Sequence, residues 1–518
     1  MRRRPLLALA LTIFAATAAA APTPGVAAPP ADTLTVALTA QAPTLDPHMH
    51  YEWVGILISL NMFDSLLHRN ARLEYEPGLA VSWKALNDTV WEFKLREGVK
   101  FHNGAVLTAQ DVKYSFERVL DPLRGSPQYH NVRAVRSIRV VSPDTIHLIT
   151  ERPAPLLLER LVYFPIVPKQ HVERVGDEVF GRSAPVGTGP WKLSELKPGQ
   201  HIRLEAFEGH WRGKPAFKFL TFRVIPDKVA QVNELKRGGI DIVRHVSAAQ
   251  IADLRAHPRI RLSSAPILRT HHVQLDMRTA PFDRKAARQA ANYAIDRDTI
   301  VRTLLAGRGG VVPTAVHPAA FGYDAAVTAY PYDPDKARAL LARAGYPDGV
   351  SITLHSAFVE SRPVFEALAR MLTAAGFKTT LRTWEPGEAW TTFFQREGKA
   401  TNGYYGSWGS YSVFDADASL YPLYHTGPRG WVGKWYTRID GLDHLIDQAR
   451  STLDADLRKR TYAHILRLLK EECPSIFLFH EVDTLALSDR IDYAARSDQW
   501  LWLFDAKPRS RDGTIGER

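Results

Sequence analysis

Apolar and polar residues alternate along four short stretches: Leu34, Val36 and Leu38; Trp91, Phe93 and Leu95; Ile202, Leu204 and Ala206; Leu220, Phe222 and Val224. A period of two predicts strands with one buried face. Elsewhere the period lengthens to that of a helix. Thr108 followed by Asp111 forms a capping-box start, after which Val112, Phe116 and Val119 share one face. Asp333-Pro334 places a cap and a proline at a helix start, Leu340 and Leu341 carry the stripe, and Gly345 ends it. Two further helices are predicted from near Asp283 and near Asp296, the second ending at Gly307. The run 99–104 reads as a strand closing in an Asn103-Gly104 turn, and Gly187-Thr188-Gly189-Pro190 as a crossover turn. Strands interleaved with helices predict an α/β fold. There is no internal repeat and no low-complexity linker, so the domains are expected to be joined by strand crossovers that can hinge.

The 518 residues, 45% of them hydrophobic and 23% charged, are enough for two to four domains at roughly 100–200 residues each. Arg2, Arg3 and Arg4 precede a short apolar stretch from Leu6 to Ala20, the pattern of an export signal. Ala18-x-Ala20 is one cleavage site, and a cut after Ala28 is the alternative. Beyond it no run of about 18 apolar residues appears, so no membrane span is expected. Cys473 is the single cysteine, which excludes an internal disulfide and a lipid anchor near the cleavage site. These features point to a diffusing periplasmic protein. The net charge is +11, or +8 without Arg2, Arg3 and Arg4, and it is spread along the chain. No nucleic-acid groove is expected from that distribution.

The motifs of enzymes are missing. There is no G-x-S-x-G elbow, no H-E-x-x-H pair and no phosphate loop, and Gly187-Thr188-Gly189 lacks the third glycine of a dinucleotide fingerprint. His48 with His50 and His271 with His272 are the histidine pairs that could approach a metal. Neither has i, i+4 spacing, and adjacent residues on a strand point to opposite faces. Neither a metal nor a cofactor is therefore expected.

Three blocks carry a resemblance. The first runs from Leu79-Ala80-Val81-Ser82-Trp83 through 91–104 (WEFKLREGVKFHNG) to 107–118 (LTAQDVKYSFER). The second joins 187–193 (GTGPWKL) to 224–227 (VIPD) and 239–242 (GIDI); the third joins 281–283 (PFD), 294–297 (AIDR), 332–337 (YDPDKA) and 344–349 (AGYPDG). In this order they resemble the family 5 extracellular solute-binding proteins of ABC importers, which include oligopeptide-, dipeptide- and nickel-binding members. The resemblance implies a two-lobed periplasmic binding protein of type II with an extra subdomain, mixed sheets flanked by helices and a hinge between lobes. It places the signal peptide at 1–28, lobe I at 32–63, 188–270 and 480–518, the extra subdomain at 64–187, and lobe II at 271–479.

It also implies a non-enzymatic monomer that captures a small solute, most simply a peptide, and delivers it to a membrane permease and ATPase complex. Ligand contacts are expected from Tyr51, Trp53, Tyr129, Arg244, His245, His272, Trp390, Trp408, Tyr411, Asp415 and Asp417. His271 falls with His272 where the chain crosses between lobes. Peptide-binding members carry an aspartate three residues after the tryptophan matched by Trp408, where this chain has Tyr411. Either Asp415 or Asp417 takes its role toward a ligand ammonium, or the ligand has no free amino terminus. A buried Arg244 would favour a carboxylate-bearing ligand. The competing readings are a non-peptide solute such as a metal chelate and, from another class, a periplasmic hydrolase.

Overall fold

The computed structural model describes residues 29–358, 361–385, 401–409, 412–427 and 432–509. An 11-stranded mixed sheet forms its spine. From one edge the order is Phe377–Thr383, Val350–Ser356, Gly403–Gly409, Ile260–Leu275, Ser475–Ser488, Ile242–Val243, Thr33–Leu38, Phe219–Val224, His201–Ala206 and Trp191–Lys197, with Gly309–Val311 paired to Ser475–Ser488. Two members, Ile260–Leu275 and Ser475–Ser488, have 16 and 14 residues and run through both halves. Their ladder is broken between Pro266 and Thr270 and again between Thr270 and His272. On one side of the break they join the Thr33–Leu38 half, and on the other the Val350–Ser356 half, giving two lobes on shared strands.

A separate four-stranded antiparallel sheet, Ala80–Asn87, Val90–Leu95, Thr145–Thr150 and Val135–Ser142, packs on the helix Ala109–Leu120. That helix begins at the predicted box: Thr108 Oγ1 accepts from the Asp111 amide, and the Asp111 carboxylate accepts from the Thr108 amide at 2.9 Å. Val112, Phe116 and Val119 are fully buried on its inner face. The helix Pro334–Arg343 starts at Asp333, whose Oδ1 accepts from the Lys336 amide at 2.9 Å. Helices also follow Asp283, at Lys285–Tyr293, and Asp296, whose side chain caps a helical run of Arg297–Thr299 that widens into a π-helix over Ile300–Leu304.

The strand expected at 99–104 is a correction. Lys100 makes one isolated bridge to Val106, while Gly104 turns at φ 86° as the Asn-Gly pair requires. Val99 and Phe101 are buried in the subdomain core instead, and the His102 amide donates to Gly187 O at 2.8 Å, so tertiary packing claims the backbone that a ladder would need. The 187–190 segment is indeed a buried turn. A side chain on Gly187 would meet Met62 O at 2.1 Å, which explains the glycine.

Candidate ligand-binding cleft

The first wall belongs to the Thr33–Leu38 half. Trp53 opens the helix Trp53–Met62, and its ring stacks on Trp500 at 3.9 Å with 17° between planes. The Arg244 guanidinium covers Trp53 at 4.1 Å from the ring centroid. Arg244 leaves the sheet just after Ile242–Val243, is 5% exposed, and donates from Nη2 to Gln499 O at 3.0 Å. Its Nε has no hydrogen-bond partner, and burial pulls its pKa down to about 9. Two non-glycine residues beside it, His245 and Gln499, sit in the left-handed region at φ 53° and 60°. Such backbone is rare outside glycine and is held only where its surroundings fix it. His245 Nδ1 lies 3.1 Å from Asp483 Oδ1, and Lys228 Nζ donates to Arg244 O at 3.0 Å.

On the subdomain side, Tyr51 is exposed and meets the His130 ring edge-on at 4.2 Å. Tyr129, also exposed, starts the short helix Tyr129–Val132. Gln128 Nε2 donates to His50 O at 2.7 Å, which ties the two segments together. Arg160 lies beside them, donating to Asn131 Oδ1 at 3.2 Å and reached by the fields of Tyr51 and of Asp417. Burial lowers its pKa.

The facing wall comes from the Val350–Ser356 half. His271 accepts or donates at both ring nitrogens, 2.9 Å to Tyr405 Oη and 2.5 Å to Glu481 Oε1, and stacks on Phe479 at 4.6 Å. His272, on the other face of the strand, is buried with Nδ1 unpartnered, and desolvation drops its pKa to about 3. Opposite Thr270 in the ladder stands Trp408, whose indole N–H donates to Ala418 O at 2.6 Å. Asp415 accepts from Arg458 Nη2 at 2.7 Å and from Tyr462 Oη at 2.6 Å, so both of its oxygens are engaged inside the lobe. Asp417 differs: buried, its Oδ1 has no hydrogen bond and the nearest cation, Arg450 Nε, is 3.4 Å away. Desolvation raises its pKa to about 6 against the pull of Arg450, with the Asp415 charge adding to the rise.

Trp53, Arg244 and His245 thus form one contiguous surface, which continues through Asp483 to Glu481 and His271. Arg160 hydrogen-bonds Asn131 of the Tyr129 segment and lies within electrostatic reach of Tyr51 and of Asp417. His272 points away from the groups that His271 binds. Trp390 and Tyr411 lie outside the described residues. Trp500, Gln499, Asp483 and Arg160 were not anticipated. The one signal for Trp500 was the tryptophan-rich run 500–502, which no family motif accompanied. Among the described residues no group of three His, Cys, Asp or Glu could hold a metal ion.

Residues 74–431 match the family profile of the bacterial extracellular solute-binding proteins, family 5 Middle. Heme-binding protein A of Haemophilus influenzae is 28% identical over 448 residues, 81% of each chain. The glutathione-binding protein GsiB of Shigella boydii is 27% identical over 457 residues, covering 86% of this chain and 88% of that protein. The solved structure of HbpA2 from Haemophilus parasuis superposes with a TM-score of 0.83 at 23% identity, over 92% of this chain and all of that one.

Proposed function

We infer, starting from a chain that belongs to the family 5 bacterial extracellular solute-binding proteins and serves as the solute-binding component of an ABC importer, that its ligand is a short peptide or peptide-like solute carrying a free carboxylate. One observation carries the reading. Arg160 and Arg244 are both desolvated enough to lower their pKa values, and neither forms an ion pair among the described residues. A buried guanidinium without an anion is costly, and a ligand carboxylate offsets that cost through a charge-assisted pair. Asp417, buried and with no hydrogen bond at Oδ1, supports an ammonium or amide donor on the ligand. A relative named for glutathione, a tripeptide with two carboxylates and one ammonium, supports a ligand of this kind.

In this reading Trp53, with Trp500 behind it, supplies contact area with few rotors, Arg244 and Arg160 orient the anion, and Asp417 receives the cation. Asp415, occupied by Arg458 and Tyr462, holds the loop that presents Asp417. Residues 1–28 direct export and are removed; the mature monomer then works in the periplasm and delivers ligand to a permease and ATPase complex. No helix of the described residues is long and apolar enough to cross a membrane.

Native mass spectrometry of protein taken from its own periplasm tests the proposal first, with an organic adduct that unfolding releases intact as the expected result. Thermal shift then compares reduced glutathione, trialanine and carboxyl-amidated trialanine. A free carboxylate peptide at about 100 times its Kd should raise Tm by a few degrees. The amide should lose most of that shift. No adduct together with no shift from any carboxylate peptide, or recovery of shortened peptides, overturns the reading.

A further inference from the structure

Phe414 is a buried aromatic residue, 4% exposed, yet it belongs to none of the five apolar clusters found among the described residues. Its burial has another source. Its ring lies against the Arg69 guanidinium, 4.6 Å from the ring centroid, and its amide donates to Glu159 Oε2 at 2.8 Å. Glu159 sits in the helix Leu157–Leu161 of the four-stranded-sheet subdomain and also accepts from Arg69 Nη2 at 2.8 Å and Tyr75 Oη at 2.5 Å. Phe414 itself is fixed to the opposite lobe: its carbonyl accepts from the Phe321 amide at 2.7 Å, and the adjoining Asp415 is bound by Arg458 and Tyr462. The contact therefore spans two bodies that the chain joins through the long strands Ile260–Leu275 and Ser475–Ser488.

We propose that the Phe414 prong and its Arg69–Glu159–Tyr75 socket form an interlobe clasp that lets the two lobes close over an empty cleft. Every contact in the clasp is between protein groups, so a solute is not required to make it. The socket survives opening, because Glu159 keeps Arg69 and Tyr75 when Phe414 withdraws and exchanges its charge-assisted hydrogen bond and its ring contact for water. The same Arg69 is linked to the first cleft wall, since Arg496 Nη2 donates to Arg69 O at 2.9 Å and to Asp498 Oδ2 at 2.8 Å, and Trp500 N donates to Asp498 Oδ1 at 3.2 Å. Seating the prong thus acts on the segment that carries the Trp53 stack. Apparent affinity follows the fraction of molecules that are binding-competent, and the clasp sets that fraction. The proposal rests on the two-lobed fold and not on the identity of the ligand.

The test uses the full mature chain, freed of ligand by unfolding and refolding. Spin labels on Leu123→Cys, in the subdomain, and Tyr332→Cys, in the other lobe, report the distance between the two bodies; Cys473 is buried and escapes labelling. The expected result is a closed population in the ligand-free protein that falls about tenfold, as a ratio of closed to open, in Phe414→Ala, with Phe414→Met recovering part of it. Near-UV circular dichroism checks that Phe414→Ala is folded. As a measurement free of any substitution, hydrogen exchange at the Phe414 amide should be slow without ligand, since Glu159 holds it. A ligand-free distance distribution that is identical in Phe414→Ala and the parent overturns the proposal. So does a Phe414 amide that exchanges as fast as an unstructured peptide. Neither result bears on whether a peptide binds.

Discussion

The two walls of the cleft solve the same problem in different ways. On the Trp53 side the polar group is a guanidinium packed on the Trp53 ring, with a backbone carbonyl as its hydrogen-bond partner. On the Trp408 side it is the Asp417 carboxylate, 3.4 Å from Arg450 Nε and buried deeply enough that desolvation outweighs that cation. Arg244 stays charged throughout the physiological range even at a pKa of about 9, whereas Asp417 at about 6 changes charge within it. One wall is a fixed charge and the other a conditional one, and their substitution effects should differ in size and in pH dependence.

Arg244→Met should have the largest effect on capture. Losing the partner of a buried ligand carboxylate costs about 3 kcal/mol, a Kd rise of a hundredfold or more by calorimetry with whichever carboxylate peptide gives the largest thermal shift. Ligand-free Tm should hold or rise, because an uncompensated cation is removed. A large fall in ligand-free Tm with unchanged Kd would make Arg244 a packing residue and erase the contrast between the walls.

Asp415 and Asp417 sharpen the contrast within one loop. Asp415→Ala strands Arg458, a buried cation, and should cost about 3–5 kcal/mol of folding stability in urea unfolding. Asp417→Asn should leave stability unchanged or improved near pH 7. The sign follows from the raised pKa: the neutral acid is the form the fold prefers. The ligand-free protein is therefore free of this penalty below about pH 4, acquires it as pH rises through about 6, and Asp417→Asn removes that slope. Binding of a ligand ammonium runs the other way, with affinity falling about tenfold from pH 7 to pH 5 as Asp417 takes up a proton. A flat pH profile in the parent protein would show that Asp417 does not meet the ligand.

Trp408→Ala should be the mildest. Its ring is half-buried against the neighbouring helices and its N–H is spent on Ala418 O, so a fewfold loss of affinity should come with about 1 kcal/mol of lost stability. Trp408→Phe keeps the packing and loses the hydrogen bond, which separates the two contributions.

Sequence made the architecture readable where local signals and fold agree. The Thr108–Asp111 box, the strand at Leu34–Leu38 and the cap at Asp333 all appear where the pattern places them, although that strand, paired on both sides, is buried on both faces and not on one. The run 99–104 misled because the competitor for its backbone, Gly187, is some eighty residues away. Among the candidate cleft residues, the family pattern named Trp53, Arg244 and Asp417. It could not bring out Gln499, whose contribution is a carbonyl aimed by a left-handed φ that glutamine does not advertise. Trp500 stayed hidden for a related reason: its partner Trp53 lies more than four hundred residues away, at the far end of the chain. Nor could the sequence tell which of Asp415 and Asp417 is engaged, since Arg458 and Tyr462 reach one of them from a distant helix.

The mismatch in the long paired strands has a mechanical consequence. Between Pro266 and Thr270 one strand inserts three residues against a single Glu481, and two residues later the excess passes to its partner, where His271 faces Leu478 and Phe479. Each strand thus holds a small reserve of length at the same latitude. A joint built this way can twist by redistributing slack and leave the ladders on either side whole, so the energy that governs the swing resides in the surfaces that meet, not in the pivot.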